Sequence, residues 1–382
     1  MQTDSVWDRD SLTAVPEVEI VTEAGERSGA ADLIVRELFY TSPGSDGSDL
    51  RIFAHYARPP DADSPLPAVV WVHGGASIGS REAVIEWAGR GYAALSMDLP
   101  GKGGEVRAGS RSTGPDMSDD NIFRVEPGPR ESYLFLCVNA VCRAVSMLAH
   151  RPEVDAARIG VLGYSWGGVI TLLANGIDDR ITAACTVYGA GFIPDESIWT
   201  ARLRAGDPGQ VELWRTHFDP SSYLATQHGR TLFASATGDE YFSVRSFIRT
   251  YERAQREKAL YLAPNLNHEM DEHGPATIVR WFDHALGGGP SLPRVSVGRA
   301  GDRLTVPAAN LSSVSQVLRV AADSPDLRQA FWRATPMQRQ ADAWTCPAPD
   351  PGIPFYVIAI EDTGAAVAGG HSNILGENRE ER

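Results

Sequence analysis

Hydrophobic residues fall into two kinds of stretch over the first three quarters of the chain. Short, nearly continuous apolar runs predict strands that are buried on both faces. These runs occupy residues 67–73, 92–98, 159–163, 181–188, 231–236 and 259–263. Stretches with apolar residues at helical spacing alternate with them and occupy residues 80–90, 131–150, 169–175 and 278–286. This alternation predicts an α/β fold, with a mostly parallel sheet and helices on both of its faces.

The pattern changes at both ends of this region. Residues 35–40 and 50–57 predict a strand pair around a turn rich in Gly, Ser and Asp. Beyond a Gly- and Pro-rich linker at 287–293, short strand-like segments predict a small all-β domain. These segments are 294–297, 303–306, 314–320 and 355–360. The predicted organisation is an N-terminal extension (1–34), an α/β domain (35–286) with a cap-like insertion at 189–229, a β-sandwich-like domain (291–370) and a flexible tail (371–382).

Composition and charge narrow the classes of partner. The chain has 382 residues, of which 43% are hydrophobic and 22% are charged, as expected for a globular protein. The formal net charge of −14 disfavours binding to nucleic acid or to anionic membranes. No apolar run approaches the roughly 20 residues that cross a bilayer, and the polar start lacks the features of a signal peptide. We therefore expect a cytoplasmic protein with a small-molecule partner, and self-association into a homo-oligomer stays open.

The cysteines give no sign of a metal site. None of the four forms a CxxC pair or stands beside a histidine at the spacing of metal ligands. They are Cys137, Cys142, Cys185 and Cys346. We therefore expect no metal, and the chemistry indicated by the motifs below needs no organic cofactor.

The segment Gly163-Tyr-Ser165-Trp-Gly-Gly168 fits the nucleophile-elbow pattern G-x-S-x-G. In such an elbow a strand turns sharply into a helix, the serine side chain projects above the sheet, and the glycines avoid clashes in the turn. A second match, around Ser77, follows an early strand, where enzymes with this elbow carry an oxyanion loop. Because Ser165 stands between a predicted strand and an apolar helix, we favour it as the nucleophile. A tight structural turn with an inert serine is the alternative.

An acid and a histidine should follow the nucleophile in that order, each on a loop after a later strand. Asp239 comes directly after the predicted strand 231–236, and His268 follows the strand 259–263. Serine becomes a strong nucleophile only when a base takes its proton, and a carboxylate fixes the tautomer of that base. The sequence therefore predicts Asp239 as the acid and His268 as the base. Their rivals are Glu240, Asp98 and His273.

Backbone donors for an oxyanion are expected close to the predicted elbow. His73, Gly74 and Gly75 follow an early buried strand, as an oxyanion loop would. We predict that the backbone N–H of Trp166 and that of Gly75 or Ala76 form the oxyanion hole. A plain glycine turn is the alternative interpretation of the His-Gly-Gly segment.

The insertion at 189–229 contains several aromatic residues that either line a substrate pocket or attach a cap to the body. Trp199 and Trp214 are the candidate pocket residues from the insertion. Tyr241, shortly after the predicted acid, is a third candidate.

Together these motifs resemble the α/β-hydrolase superfamily over residues 35–286. Within it, residues 131–168 are most similar to the acetyl xylan esterase and cephalosporin-C deacetylase family. The segment 98–104 is similar to that family's Arg-Gly-Gln-Gly loop, and His268-Glu269 matches its His-Glu pair. The resemblance implies a carboxylic ester hydrolase with the same three catalytic residues. The C-terminal β region resembles proteins related to the PhoPQ-activated pathogenicity-related group.

Several positions depart from that family's pattern. Pro100 replaces the arginine of the loop motif, Lys102 replaces its glutamine, and Trp166 stands where a glutamine is expected. The leading hypothesis is hydrolysis of short-acyl, acetyl-type esters through an acyl-enzyme. A peptidase or amidase for short peptides and a lactonase remain alternatives on the same three residues. A non-catalytic binding protein is a further alternative.

Overall fold

The computed structural model describes residues 6–60, 64–75, 77–101, 109–327, 329–372 and 374–375. The chain divides into two compact units. The first contains Met1–Ala190 and Ala201–Arg230, and the second contains Gly191–Thr200 and Thr231–Arg382. The division near residue 230 runs through the segment predicted to be one α/β domain, so the predicted domain boundaries stay a prediction.

In its described residues, the first unit is built on seven strands. They are β1 (Val18–Ser28), β2 (Ala31–Pro43), β3 (Asp49–Arg58), β4 (Leu66–Val72), β5 (Ala93–Met97), β6 (Val154–Tyr164) and β7 (Ile181–Val187). Its helices are α1 (Arg9–Thr13), α2 (Arg81–Gly89), α3 (Asp119–Ile122), α4 (Tyr133–Ala149), α5 (Trp166–Ile177), α6 (Thr200–Ala205) and α7 (Pro208–Phe218). Short 3-10 turns occupy Pro129–Glu131 and Pro220–Tyr223.

The sheet of the first unit has the order β1-β2-β3-β5-β4-β6-β7. The strands β5, β4, β6 and β7 run parallel to their neighbours in this set, whereas β1, β2 and β3 pair antiparallel. Every residue of β5 is buried, as expected for a strand covered on both faces. Since β4, β5 and β6 are parallel, the residues that follow them lie at one edge of the sheet. This confirms the predicted parallel sheet.

The polar N-terminal segment is part of the first unit. Strand β1 forms an antiparallel ladder with β2, and most of its side chains are exposed. Helix α1 contacts α4, where the Ser146 hydroxyl donates to the Leu12 carbonyl at 3.0 Å. A strand that is exposed on both faces has no need for alternating apolar residues, so the hydrophobic pattern did not reveal β1.

The second unit contains the remaining strands. They are β8 (Arg230–Ala236), β9 (Lys258–Ala263), β10 (Gly298–Ala300), β11 (Arg303–Pro307), β12 (Val314–Ala322), β13 (Trp332–Pro336), β14 (Gln338–Gln340), β15 (Ala343–Pro347), β16 (Phe355–Glu361) and β17 (Ala366–Ser372). Its helices are α8 (Val244–Arg253) and α9 (His273–Ala285), with a 3-10 turn at Ala308–Asn310.

The C-terminal strands form two sheets with a shared core. One sheet has the order β8-β9-β17-β16-β12-β13, and the other has the order β10-β11-β15-β14. Leu304 and Cys346 from the small sheet pack with Val317 and Val357 from the large one. Three of the four C-terminal strands predicted from the sequence, at 303–306, 314–320 and 355–360, are therefore present, and they pair antiparallel with their neighbours. One of their sheets continues through β17 into β9, where Ala368 pairs with Leu260.

Two elements of the second unit differ from the sequence prediction. The predicted strand 294–297 is wrong, because these residues are irregular and the nearest strand, β10, begins only at Gly298. Helix α8 was not predicted. Its signal is present in the sequence, since Val244, Phe247 and Ile248 are buried at helical spacing and the Ser243 hydroxyl accepts the Ser246 N–H at 3.1 Å.

In the part of the chain that the structure describes, no helix is long and apolar enough to cross a membrane.

From the core between the two C-terminal sheets, we predict that substitutions at two neighbouring residues of β11 differ widely in their effect on stability. Leu304 is fully buried, whereas Thr305 is half-exposed. Leu304→Ala should destabilise this core by about 2–5 kcal/mol, because it removes apolar surface and leaves a cavity. Thr305→Ala should change the stability by about 0.5 kcal/mol or less. Hydrogen exchange of the β11 and β15 amides measures both effects, and equal protection in the two variants would contradict the burial of Leu304 in this core.

Candidate active site

Ser165 lies at the sharp turn between β6 and α5. Its backbone has φ 56° and ψ −122°, an unfavourable conformation for a residue with a side chain. The Ser165 N–H donates to the Val187 carbonyl at 2.7 Å. Its carbonyl accepts the N–H groups of Gly168 and Val169 at 2.8 and 3.1 Å. The structure therefore has the strand–turn–helix geometry predicted for a nucleophile elbow.

Close backbone packing explains the two glycines that flank this serine. A Cβ on Gly163 would lie 2.0 Å from the Gly167 carbonyl oxygen, and a Cβ on Gly167 would lie 2.4 Å from the Val72 carbonyl oxygen. Real Cβ atoms do not approach so closely, so neither position accepts a side chain without a shift of the backbone. Burial raises the pKa of Tyr164, just before Ser165, above that of an exposed tyrosine.

The predicted oxyanion loop lies against the elbow. A Cβ built on Gly74 would stand 3.1 Å from the Ser165 Cβ, and one built on Gly75 would stand 3.2 Å from the Trp166 ring. Gly75 and Trp166, the two predicted donors that the structure describes, are thus close together. The third predicted donor, Ala76, lies outside the described residues.

His73 and Asp98 brace the loops at this edge of the sheet. Nε2 of buried His73 accepts the Leu99 N–H at 2.9 Å. The two carboxylate oxygens of buried Asp98 accept the N–H groups of Gly79 at 2.8 Å and Arg111 at 2.7 Å. Asp98, a rival for the acid, therefore holds two loop segments to the end of β5.

The second G-x-S-x-G match does not form an elbow. Ser77 is exposed in irregular backbone before α2, and its hydroxyl approaches the Ile78 carbonyl at 3.4 Å. The following glycine, Gly79, packs against the backbone of Met97 and Asp98. The geometry around Ser77 thus differs from that at Ser165.

Asp239 and His268 form a hydrogen-bonded pair in the second unit. Oδ2 of Asp239 lies 2.8 Å from Nδ1 of His268. The Asp239 side chain is fully buried, and its Oδ1 accepts the N–H groups of Tyr241 at 2.8 Å and Phe242 at 3.0 Å. These N–H groups compensate the carboxylate for its lost hydration and fix its direction. The contact at Nδ1 also fixes the orientation of the imidazole ring relative to the carboxylate.

The remaining rivals have other partners. Glu240 is exposed, and its carboxylate accepts from the Asn267 side chain at 3.1 Å. His273 begins α9, and its Nδ1 lies 2.9 Å from the Gly364 carbonyl oxygen. Neither residue takes part in the Asp239–His268 pair.

Aromatic rings surround His268 within the second unit. The Tyr241 ring lies 4.8 Å from the imidazole, and the Trp199 ring lies 6.2 Å from that of Tyr241. Phe242, which was not predicted from the sequence, stacks on the imidazole at 6.4 Å and packs at a tilt against Trp199 at 5.4 Å. Its place next to Tyr241 after the predicted acid was the available signal.

Trp214, the remaining candidate pocket residue, is in the first unit. It is fully buried, and its indole N–H donates to the Ile122 carbonyl at 2.9 Å. Its ring packs on Phe123, which in turn contacts Trp166 at 6.0 Å. Trp214 thus supports the segment beside Trp166.

Among the described residues, no group of three or more His, Cys, Asp or Glu side chains could hold a metal ion.

Comparison with models of known protein families shows to which family the chain belongs. The family model of the acetyl xylan esterases matches residues 4–195, about half of the chain. The chain belongs to the acetyl xylan esterase family. As a member of this family, the chain is a carboxylic ester hydrolase. A second family model, that of the PhoPQ-activated pathogenicity-related protein, matches residues 204–330.

Solved structures are similar to this acetyl xylan esterase family member at low sequence identity. Acetyl xylan esterase 1 from Thermoanaerobacterium sp. JW/SL YS485 has a TM-score of 0.61 and 18% identity, with 72% of this chain and 90% of that chain covered. The acetyl xylan esterase from Paenibacillus sp. R4 has a TM-score of 0.59 and 20% identity, with 74% and 97% covered. These matches confirm the predicted α/β-hydrolase fold.

The packing at the elbow predicts that Gly167 tolerates no side chain. Gly167→Ala would force a Cβ against the carbonyl oxygens of Val72 and His73, at 2.4 and 2.5 Å. We expect a loss of about 1–3 kcal/mol of stability, together with a loss of ester hydrolysis. Gly25→Ala is the matched control, since a Cβ there meets nothing within 4 Å. Thermal unfolding and hydrolysis of p-nitrophenyl acetate test both variants. A Gly167→Ala protein with wild-type stability and activity would disprove the close packing.

Proposed function

We propose that the chain hydrolyses short-acyl carboxylic esters through an acyl-enzyme on Ser165. The observation that carries the proposal is the hydrogen bond between Nδ1 of His268 and the buried Asp239 carboxylate. This bond orients an imidazole whose Nε2 can act as a base, which is what a serine nucleophile needs. The strained backbone at Ser165 supports the choice of that serine.

The proposed reaction has two acyl transfers. Nε2 of His268 takes the Ser165 hydroxyl proton as Oγ attacks the ester carbonyl carbon. The tetrahedral intermediate collapses, and the alcohol leaves with the proton from His268. A water molecule, deprotonated by His268, then attacks the acyl-enzyme, and the carboxylic acid leaves as Ser165 regains its proton. None of these steps requires a metal or an organic cofactor.

Charge on the carbonyl oxygen needs stabilisation in both transfers. We propose that the backbone N–H groups of Trp166 and Gly75 provide it, with Ala76 as the alternative to Gly75. One such donor typically contributes on the order of 2.7–4 kcal/mol to the transition state. The N-terminus of α5 begins at Trp166, and its dipole favours negative charge there.

The preference for a short acyl group has two supports. The two similar solved structures are both named acetyl xylan esterases, which favours acetyl as the acyl group. The rings of Tyr241 and Phe242 lie against His268, and Trp199 packs on both of them, so that these rings would restrict the space beside the imidazole. We propose that Tyr241 and Trp199 contact the ester.

The deciding experiment compares substrates and two serine variants. Wild type, Ser165→Ala and Ser77→Ala are assayed with p-nitrophenyl esters from acetyl to octanoyl, a lactone and aminoacyl-p-nitroanilides. We expect turnover that is fastest for acetyl esters. It should fall by a factor of about 10³ or more in Ser165→Ala, because the nucleophile is lost. Ser77→Ala, the matched control, should keep wild-type activity.

Each other outcome has a distinct meaning. Cleavage of anilides alone would replace the esterase with a peptidase, and preference for the lactone would make the chain a lactonase. If Ser165→Ala kept full activity, the acyl-enzyme proposal would be wrong. If no substrate were hydrolysed and a fluorophosphonate did not label Ser165, the mechanism would likewise be abandoned.

Substitutions at two neighbouring carboxylates, Asp239 and Glu240, test which of them is the acid. Asp239→Asn keeps the shape of the side chain but removes the charge that stabilises the imidazolium, so we expect kcat to fall by a factor of about 10³–10⁴. Glu240→Gln should leave kcat within about threefold, because Glu240 is exposed and its carboxylate accepts from the Asn267 side chain. The two variants are compared by kcat for p-nitrophenyl acetate. The reverse order of effects would assign the acid to Glu240.

A further inference from the structure

Asn265 lies on the loop between β9 and His268, and its side chain binds the main chain of the C-terminal strands. Its Nδ2 donates to the Trp332 carbonyl at 2.7 Å, and its Oδ1 accepts the Trp332 N–H at 2.7 Å. The side-chain amide of Asn265 thus hydrogen-bonds to both the N–H and the carbonyl of Trp332, as the main chain of a neighbouring strand would. Asn265 has φ 62°, a left-handed conformation that asparagine adopts more readily than most residues.

Trp332, the partner in this contact, is held in place by strand pairing and by the packing of its ring. It lies on β13, which is the last strand of its sheet and pairs with β12 on one side only. The Trp332 ring is buried and packs on Tyr356 at 5.4 Å. The Tyr356 hydroxyl donates to the Leu262 carbonyl at 3.3 Å, so the same strands also hold the end of β9.

Asn265 also joins the loops that carry the acid and the base. Its backbone N–H donates to the hydroxyl oxygen of buried Thr237 at 2.8 Å. Next to this bond, the Gly238 N–H donates to the Leu266 carbonyl at 2.9 Å. Asn265 therefore connects the Asp239 loop, the His268 loop and strand β13.

We propose that Asn265 is a positioning residue, through which the C-terminal strands hold the imidazole of His268 in register with Asp239. The inference rests on the proposed function, in which His268 is the base. Asn265 is exposed, so its side chain contributes little to the core. The physical effect is to restrict a loop that would otherwise sample several backbone conformations. A displacement of about 1 Å at a reacting group can cost about 100-fold in rate.

The test uses two substitutions of Asn265 in the full chain. Asn265→Gly removes the amide but permits the left-handed backbone. Asn265→Asp retains an acceptor for the Trp332 N–H but sets a carboxylate oxygen against the Trp332 carbonyl. For both variants we expect kcat for p-nitrophenyl acetate to fall about 10- to 100-fold, with KM within about threefold of wild type. The fraction of chains that a fluorophosphonate labels to completion at Ser165 should stay at the wild-type value.

Two further variants complete the series. Gln340→Gly removes an exposed amide side chain from β14, away from this contact, and should keep wild-type kcat. His268→Ala should be inactive. If it is inactive while both Asn265 variants keep wild-type kcat, the positioning role is wrong and the proposed function stands. If the Asn265 variants lose labelled sites but keep kcat per labelled site, the residue is merely structural and the inference fails. If His268→Ala remains active, the proposed function fails and the inference fails with it.

Discussion

The backbone at Ser165 is held in a conformation that costs a non-glycine residue on the order of 1–3 kcal/mol, and the surrounding packing must offset this cost. Three backbone hydrogen bonds at the serine and the close approach of Gly163 and Gly167 to neighbouring carbonyls fix the turn. This turn constrains the strands, helix and loop that surround it in the first unit. Strand β6 must end and α5 must begin at this point, and the loop after β4 must pass beside Ser165 without a side chain at Gly74.

A second constraint applies to Asp239 and His268, the proposed acid and base. A buried carboxylate is stable only when its oxygens are paired, and Asp239 meets this requirement with two backbone N–H groups and the imidazole of His268. The N–H groups come from Tyr241 and Phe242, whose rings also pack around that imidazole. The turn after β8 thus both orients the carboxylate and supplies the aromatic surroundings of His268.

The two matching family models cover different parts of the chain, one with the elbow at Ser165 and the other with the Asp239–His268 pair. The acetyl xylan esterase model covers the segment that contains Ser165, and the model of the PhoPQ-activated pathogenicity-related protein covers the segment with Asp239 and His268. The second segment continues into the C-terminal strands, which extend the sheet from β9 through β17. In this chain the C-terminal strands are therefore joined by main-chain pairing to the strand that precedes His268, and they add a contact to its loop at Asn265.

The sequence by itself determined the parallel strands and the elbow, because continuous apolar runs and the glycine spacing around Ser165 are local signals. It also predicted the strands that Ser165, Asp239 and His268 follow, which are β6, β8 and β9. It did not reveal β1, whose side chains are mostly exposed, nor the aromatic contact of Phe242 with His268. Only the tertiary structure brought Asn265 to Trp332, 67 residues further along the chain. The physical reason is that a hydrogen bond between a side chain and a distant main chain leaves no periodic trace in the sequence, whereas burial and tight turns do.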